Sequence, residues 1–323
     1  MRTMDAGTDP VVPDELGDDR FDALVDRLNA LSVAPGRHFD AYLDIAWDDP
    51  EHAIDPTDPR FELDQFDPLG GTEWYRSQPQ ATRARIGLHL VATKMRTGLQ
   101  FEQVLQRGLL EYAATLPNGT NEYRYVMHEV IEESQHSLMF QEFVNRTGFD
   151  VAGLPWWAKL GTRVIVPMGT WFPELFMTFV IGGEDPIDHF QRKALRTKGD
   201  IHPLLERIMR IHVAEEARHL SFARHFLRHR VPALGRFKRA WLSVATPRVL
   251  GEMSGLMIKP SPEVVKAYGI PAEVVREAYV DNPAAREDAV AAMTKIRRLT
   301  RELGLMNPVA KAVWKRKKIY ADD

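Results

Sequence analysis

Two stretches of the chain carry the same order of acids and histidine: Glu132-Glu133-Ser134-Gln135-His136 and Glu215-Glu216-Ala217-Arg218-His219. On an α-helix, residues three apart share a face. Glu133 with His136, and Glu216 with His219, can therefore each offer a carboxylate oxygen and a ring nitrogen to one metal ion. A Glu-x-x-His pair on each of two helices is the donor pattern of carboxylate-bridged two-metal bundles. No other glutamate in the sequence has a histidine three residues after it. His212 precedes Glu216 by four and His219 by seven, so the three lie on one helical stripe. It reads as a third histidine ligand, against the alternative of a core histidine bonded to a backbone carbonyl. Glu129, four before Glu133, reads as a carboxylate that orients a ligand histidine. Glu132 and Glu215 are rotated about a quarter turn from the ligand face, so they read as salt-bridge partners or as supports behind the ligands.

A two-metal bundle also needs one inward glutamate from each of two further helices. Glu102 fits, because it stands among Leu99, Phe101, Val104 and Leu105, where a carboxylate needs a charge partner; a solvent-facing charge is the alternative. Glu184 fits the other place, with Asp185 beside it as the rival. It follows Gly182-Gly183, two residues that each cost about 1 kcal/mol in a helix relative to alanine but let a neighbour approach closely. Four carboxylates would balance two ferrous ions, and a mixed oxygen and nitrogen donor set suits iron or manganese rather than calcium or magnesium.

The elements that must position these residues are helical. Apolar positions at helical spacing run without proline from Thr82 to Leu116, and Pro117-Asn118-Gly119 stops them. A second helix is expected over Glu122 to Thr147, ended by Gly148 and returned antiparallel by the short loop. A third is expected from Glu174 to Lys198 and a fourth from Pro203 to His229. A short helix over residues 20 to 33, an irregular arm rich in Asp and Pro from Asp48 to Gly71, and proline-broken helices after Pro232 complete the chain. The expected fold is all-α, a ferritin-like four-helix bundle over about residues 80–230 with additional N- and C-terminal helices. Residues 1–19 read as a disordered acidic tail and 20–323 as one helical domain.

The 323 residues, 44% of them hydrophobic, suffice for a large core. A net charge of -3 gives no field for polyanions, so nucleic acid is not an expected partner. The chain has no cysteine, which excludes disulfides, thiolate zinc sites, iron–sulfur clusters and a cysteine nucleophile. Any metal must sit on His, Asp and Glu. The N-terminal stretch lacks the pattern of a secretory signal. The most apolar region, Leu160 to Gly183, is broken by Arg163, Glu174, Pro167 and Pro173 and makes a poor membrane span. A cytoplasmic protein without membrane insertion is expected.

The order Glu102, Glu133-x-x-His136, Glu184, His212-x-x-x-Glu216-x-x-His219 resembles the p-aminobenzoate N-oxygenase family of non-haem di-iron enzymes, within the wider ferritin-like group. The resemblance covers roughly residues 80 to 230, and Ile211-His212-Val213-Ala214-Glu215-Glu216-Ala217-Arg218-His219 is its most specific part. It implies one iron near Glu102, Glu133 and His136 and a second near Glu184, Glu216, His219 and His212. It also implies dioxygen activation through a peroxo-bridged di-iron species, N-oxygenation of an aromatic amine, and a homodimer.

With no G-x-G-x-x-G fingerprint and no cysteine, electrons must come from outside, from a reductase or ferredoxin. Arg297, Arg298 and Arg301 are candidates for holding a substrate carboxylate, with a solvated basic face as the favoured alternative. Phe101, Phe176, Met177 and Phe179 could wall the site or simply fill the core. The basic segment Lys311 to Lys318 around Trp314 reads as a solvated terminal helix, or as a contact for acidic lipid or nucleic acid. The rival function is a ferritin-like metal- or ligand-binding protein without substrate turnover.

Overall fold

The computed structural model describes residues 18–197 and 199–322. The expected tail lies almost wholly outside the described residues; Asp18 and Asp19 already belong to helix α1 (Asp18–Ser32). The architecture is all-α, and no strand occurs among the described residues. No helix among them is long and apolar enough to cross a membrane.

After α1 the chain runs as an irregular arm to the short α2 (Glu73–Arg76), then enters α3 (Gln80–Ala113) and α4 (Asn121–Thr147). The Thr120 side chain accepts the backbone N–H of Tyr123 and starts α4, while Gly148, at φ +67°, ends it in the left-handed conformation that glycine adopts without strain. A seven-residue turn cannot carry the chain back along these helices, so α3 and α4 form an antiparallel hairpin, packed along their length.

Two short helices, α5 (Trp156–Ile165) and α6 (Met168–Trp171), lead to a second hairpin of α7 (Pro173–Thr197) and α8 (Pro203–Arg230). α3, α4, α7 and α8 are the ferritin-like four-helix bundle. α1 lies against α4 and α8, and α9 (Arg236–Ile258) lies against α7. The close approach of α9 rests on the two glycines of α7. A Cβ on Gly182 would come within 2.7 Å of the Leu250 side chain, and one on Gly183 within 3.1 Å of Met253. α10 (Pro262–Ala267), α11 (Ala272–Arg276), a π-helical turn over Glu277–Asp281, α12 (Pro283–Ala292), α13 (Thr294–Glu302) and α14 (Pro308–Arg316) close the outer layer.

Two apolar clusters meet inside the bundle, and α4 and α8 change from one to the other across a polar segment. On α3, Met95 and Leu99 belong to one cluster, and Phe101, Val104 and Leu105 to the other. On α4 the division falls between Val126 and Met139, and on α8 between Ile211 and Leu220. The polar segments meet at the same level. Hydrophobic burial at about 25 cal/mol per Å² on both sides therefore clamps a layer of acids that could not hold together by itself.

The outer layer corrects one sequence expectation. Arg297 is not on a solvated face: it is 1% exposed and donates to the carbonyls of Val290 and Ile319 and to the Thr294 hydroxyl. Its guanidinium satisfies backbone carbonyls at helix ends. Trp314 is fully buried, so the basic segment turns its aromatic side inward, and Lys311 and Lys315 lie over the ring of Tyr320.

Candidate metal centre

Glu102 of α3, Glu133 and His136 of α4, Glu184 of α7, and His212, Glu216 and His219 of α8 are all fully buried, and the structure brings them together. Donor atoms of Glu102, His136 and His212 lie within 4.8 Å of one another, as do those of Glu133, His136 and Glu216, and those of Glu184, His212 and Glu216. His212 thus stands between the two hairpins, facing Glu102 at 3.5 Å as well as Glu216 at 3.8 Å. It is not confined to the Glu184 side that the resemblance implies.

The two Glu-x-x-His motifs are built alike. His136 turns Nδ1 toward Glu133 (3.1 Å) and Glu216 (3.4 Å), and His219 turns Nδ1 toward Glu133 and Glu216 (3.1 Å each). Their outer nitrogens cross the bundle: His136 Nε2 meets Glu215 at 2.9 Å and His219 Nε2 meets Glu132 at 2.8 Å. A carboxylate on Nε2 keeps a proton there, so that a metal ion displacing the Nδ1 proton would meet the lone pair of that inward nitrogen. Glu132 and Glu215, a quarter turn off the ligand face, therefore reach across to the opposite helix, and Glu215 also faces Arg218 along α8 at 3.8 Å.

These outer carboxylates are themselves held. Arg218 donates to Glu132 at 2.7 Å and to the Arg37 carbonyl at 3.0 Å. The Phe39 N–H donates to Glu215 at 3.1 Å, and the Ala41 N–H to Gln135 at 2.8 Å. The arm after α1 thus covers the α4/α8 side of the centre. Sequence reasoning missed this cover and missed Arg218; the only signal was that Gln135 and Arg218 occupy matching places before the two histidines. It also missed Gln191, which takes the Nδ1–H of His212 at 3.0 Å and leaves Nε2 facing the acids. Asp185, the rival to Glu184, is bonded to Arg224.

Charge is unevenly met inside this layer. Both oxygens of Glu102, both of Glu184, one each of Glu133 and Glu216, and His212 Nε2 have no hydrogen-bond partner although all are buried. Burial and the neighbouring acids Glu133, Glu184 and Glu216 push Glu102 well above the usual carboxylate range, and burial with Glu216 and Glu133 does the same to Glu184. Burial opposes a charge on His136, but hydrogen bonds to Glu133 and Glu215 raise it to about 10. Burial and His136 drive His212 well below the ordinary imidazole value. A buried carboxylate without a partner is expensive, and several facing one point are worse. Carboxylate oxygens with neutral imidazole nitrogens are the donors that divalent iron or manganese takes, so the residues present fit such ions. Glu129 has two unpartnered oxygens as well and lies with Glu133 and His219; burial pushes it up to about 8.

A bundle of four helices with a buried carboxylate–histidine layer defines a protein of the ferritin-like class. Within it, the family model described as p-aminobenzoate N-oxygenase AurF matches residues 18–304, and the chain belongs to that family. Among its relatives are the uncharacterized protein Mb0909 of Mycobacterium bovis and the uncharacterized protein Rv0885 of Mycobacterium tuberculosis. Each is 42% identical over 287 residues, covering 88% of this chain and 83% of the relative.

Proposed function

We propose that this protein is a non-haem di-iron oxygenase that uses dioxygen to oxidise the nitrogen of an aromatic amine. One observation carries the proposal: buried donor atoms without a hydrogen-bond partner, contributed by four helices, face one another inside the protein. Glu102, Glu133, His136, Glu184, His212, Glu216 and His219 would hold the metal, and iron bound there would supply the redox chemistry for dioxygen. Family membership supports an oxygenase.

The chain's own groups supply the rest. Glu132 and Glu215 fix the ring planes and tautomers of His219 and His136. The apolar clusters on either side exclude bulk water, which strengthens every charge interaction within. The Phe140 ring lies tilted beside that of His212, with centroids 5.3 Å apart, and presents an aromatic wall to a substrate ring. A cavity of about 470 Å³ reaches Phe101, Phe140 and Gln191 beside the centre, which favours turnover of a substrate over storage of metal. Electrons come from a separate reductase or ferredoxin, because the chain has no cysteine for a cluster.

The test is iron analysis followed by reaction of the reduced protein with labelled dioxygen and an aromatic amine. About two iron ions per chain and label on the product nitrogen are expected. Fewer than about one ion per chain, or product without label, rejects the proposal.

A further inference from the structure

Glu129 stands one helical turn before Glu133 on α4, is 1% exposed, and has no hydrogen-bond partner on either oxygen. The structure does not give it the role expected from the sequence, that of orienting a histidine. His219 Nε2 is taken by Glu132, His136 Nε2 by Glu215 and His212 Nδ1 by Gln191, so no outer ring nitrogen is left for it. Tyr125, a further turn back along α4, leaves its buried hydroxyl without a partner rather than donating it to Glu129. Ionised, the Glu129 carboxylate is buried with no donor on either oxygen. Protonated, its O–H lacks an acceptor. Both forms are costly inside a protein.

What faces Glu129 is metal-binding. Donor atoms of Glu129, Glu133 and His219 lie within 4.8 Å of one another. Glu102, Glu184 and His212 gather instead around His136 and Glu216. Among the described residues, the triad that includes His219 is thus completed by Glu129. Its place in the chain matches that of His212: each stands four residues before the glutamate of a Glu-x-x-His motif, and the two motifs are joined crosswise through Glu132 and Glu215. His212 flanks His136, with ring centroids 4.7 Å apart, and Glu129 flanks His219. A carboxylate therefore occupies on α4 the place that His212 occupies on α8.

We propose that Glu129 is an eighth metal-binding residue of the layer, a ligand of the ion that His219 takes. It offers that ion an anionic oxygen from α4 in addition to Glu133, which gives its own buried oxygens the partner that the chain does not supply. The inference rests on the two-metal reading of the centre.

The probe is cobalt(II), added without oxygen to chelator-treated full-length protein, because its visible absorption bands follow the number and kind of its ligands and need no turnover. Bound ions are counted by equilibrium dialysis, and the bands are recorded at saturation, for wild type, Glu129→Gln, Glu129→Met and Tyr125→Phe. Wild type should bind about two ions per chain. Both Glu129 variants should keep one ion and hold the other more than about a hundredfold weaker, beyond the usual cost of losing a carboxylate behind a ligand, with altered bands. Methionine keeps the length of the side chain without the amide, and serves where Glu129→Gln does not fold. Tyr125→Phe should bind both ions as wild type does. Wild-type affinity for both ions in a Glu129 variant, weaker binding with unchanged bands, or an equal loss in Tyr125→Phe overturns the inference. Fewer than about two ions in wild type instead rejects the two-metal reading, whatever the variants show.

Discussion

His136 on α4 reaches Glu215 on α8 through Nε2 at 2.9 Å, and so turns Nδ1 toward the acids at the centre of the bundle. His219 and Glu132 make the reverse connection. Each hairpin therefore orients the other's histidine, and the geometry of the layer depends on the register between α4 and α8 rather than on either helix alone.

Replacing Glu215 with alanine should weaken iron retention by about 10- to 100-fold, the usual cost of losing a carboxylate behind a metal-bound histidine. Glu215→Gln keeps an acceptor and should recover part of it. Competition with a coloured chelator measures both. Retention equal to wild type in Glu215→Ala would mean that the His136 ring is fixed by packing alone.

The unpartnered carboxylates make the layer costly until a cation neutralises them. Glu184→Gln should raise the melting temperature of chelator-treated protein, because burial and the nearby Glu216 and Glu133 force this carboxyl to take up a proton on folding near neutral pH, a cost that the neutral amide does not carry. The same change should shrink the stabilisation by added iron, which in wild type is about 2.7 kcal/mol at a hundredfold excess over Kd. Melting curves with and without iron test both signs. A variant less stable than wild type in chelator would show that Glu184 is not held against repulsion.

Most of the bundle was readable from the chain. The α4 span differs from expectation by one residue, since Thr120 and Gly148 are strong end signals, whereas α3 ends at Ala113, three residues before the expected Leu116. The convergence of the acids and histidines follows from helical spacing, which is local. What was not readable depends on contacts between distant segments. The cross-helix role of Glu132 and Glu215 needs the relative rotation of α4 and α8. The Phe39 and Arg37 contacts join residues more than a hundred positions apart, and no pattern near residue 39 announces them. Arg297 resembled a surface charge because the backbone carbonyls of Val290 and Ile319 that it meets leave no mark on side-chain sequence.

Gly87→Ala should destabilise the protein by about 1–3 kcal/mol or more, as overpacking does. A Cβ there would lie 1.9 Å from the Phe61 carbonyl oxygen, and backbone cannot swing aside as a side chain can. The arm before α3 would have to lift. Gly119→Ala, with nothing within 4 Å, is the control and should melt within a degree or two of wild type. Equal melting of the two variants would mean that the arm does not press on α3.

Acid should loosen the junction at the start of α8. His202 is fully buried, stacks on Phe61 with centroids 4.6 Å apart, and lies with Nε2 3.2 Å from the Ala53 carbonyl, the arrangement of a neutral ring that donates. Burial holds its pKa below the ordinary value, with Arg60 and His52 acting the same way and Asp58 opposing them. The unfolded chain binds this proton at about pH 6.5 and the folded protein only at lower pH. Stability is therefore full above the unfolded pKa and is lost as pH falls below it toward the folded one. His202→Gln keeps a donor but does not titrate, so its melting temperature should fall less than that of wild type between about pH 7 and about pH 5. His89, His128, His189, His212 and His225, also depressed by burial, contribute equally to both proteins and cancel in the comparison. Parallel curves would assign the acid sensitivity to those residues and not to His202.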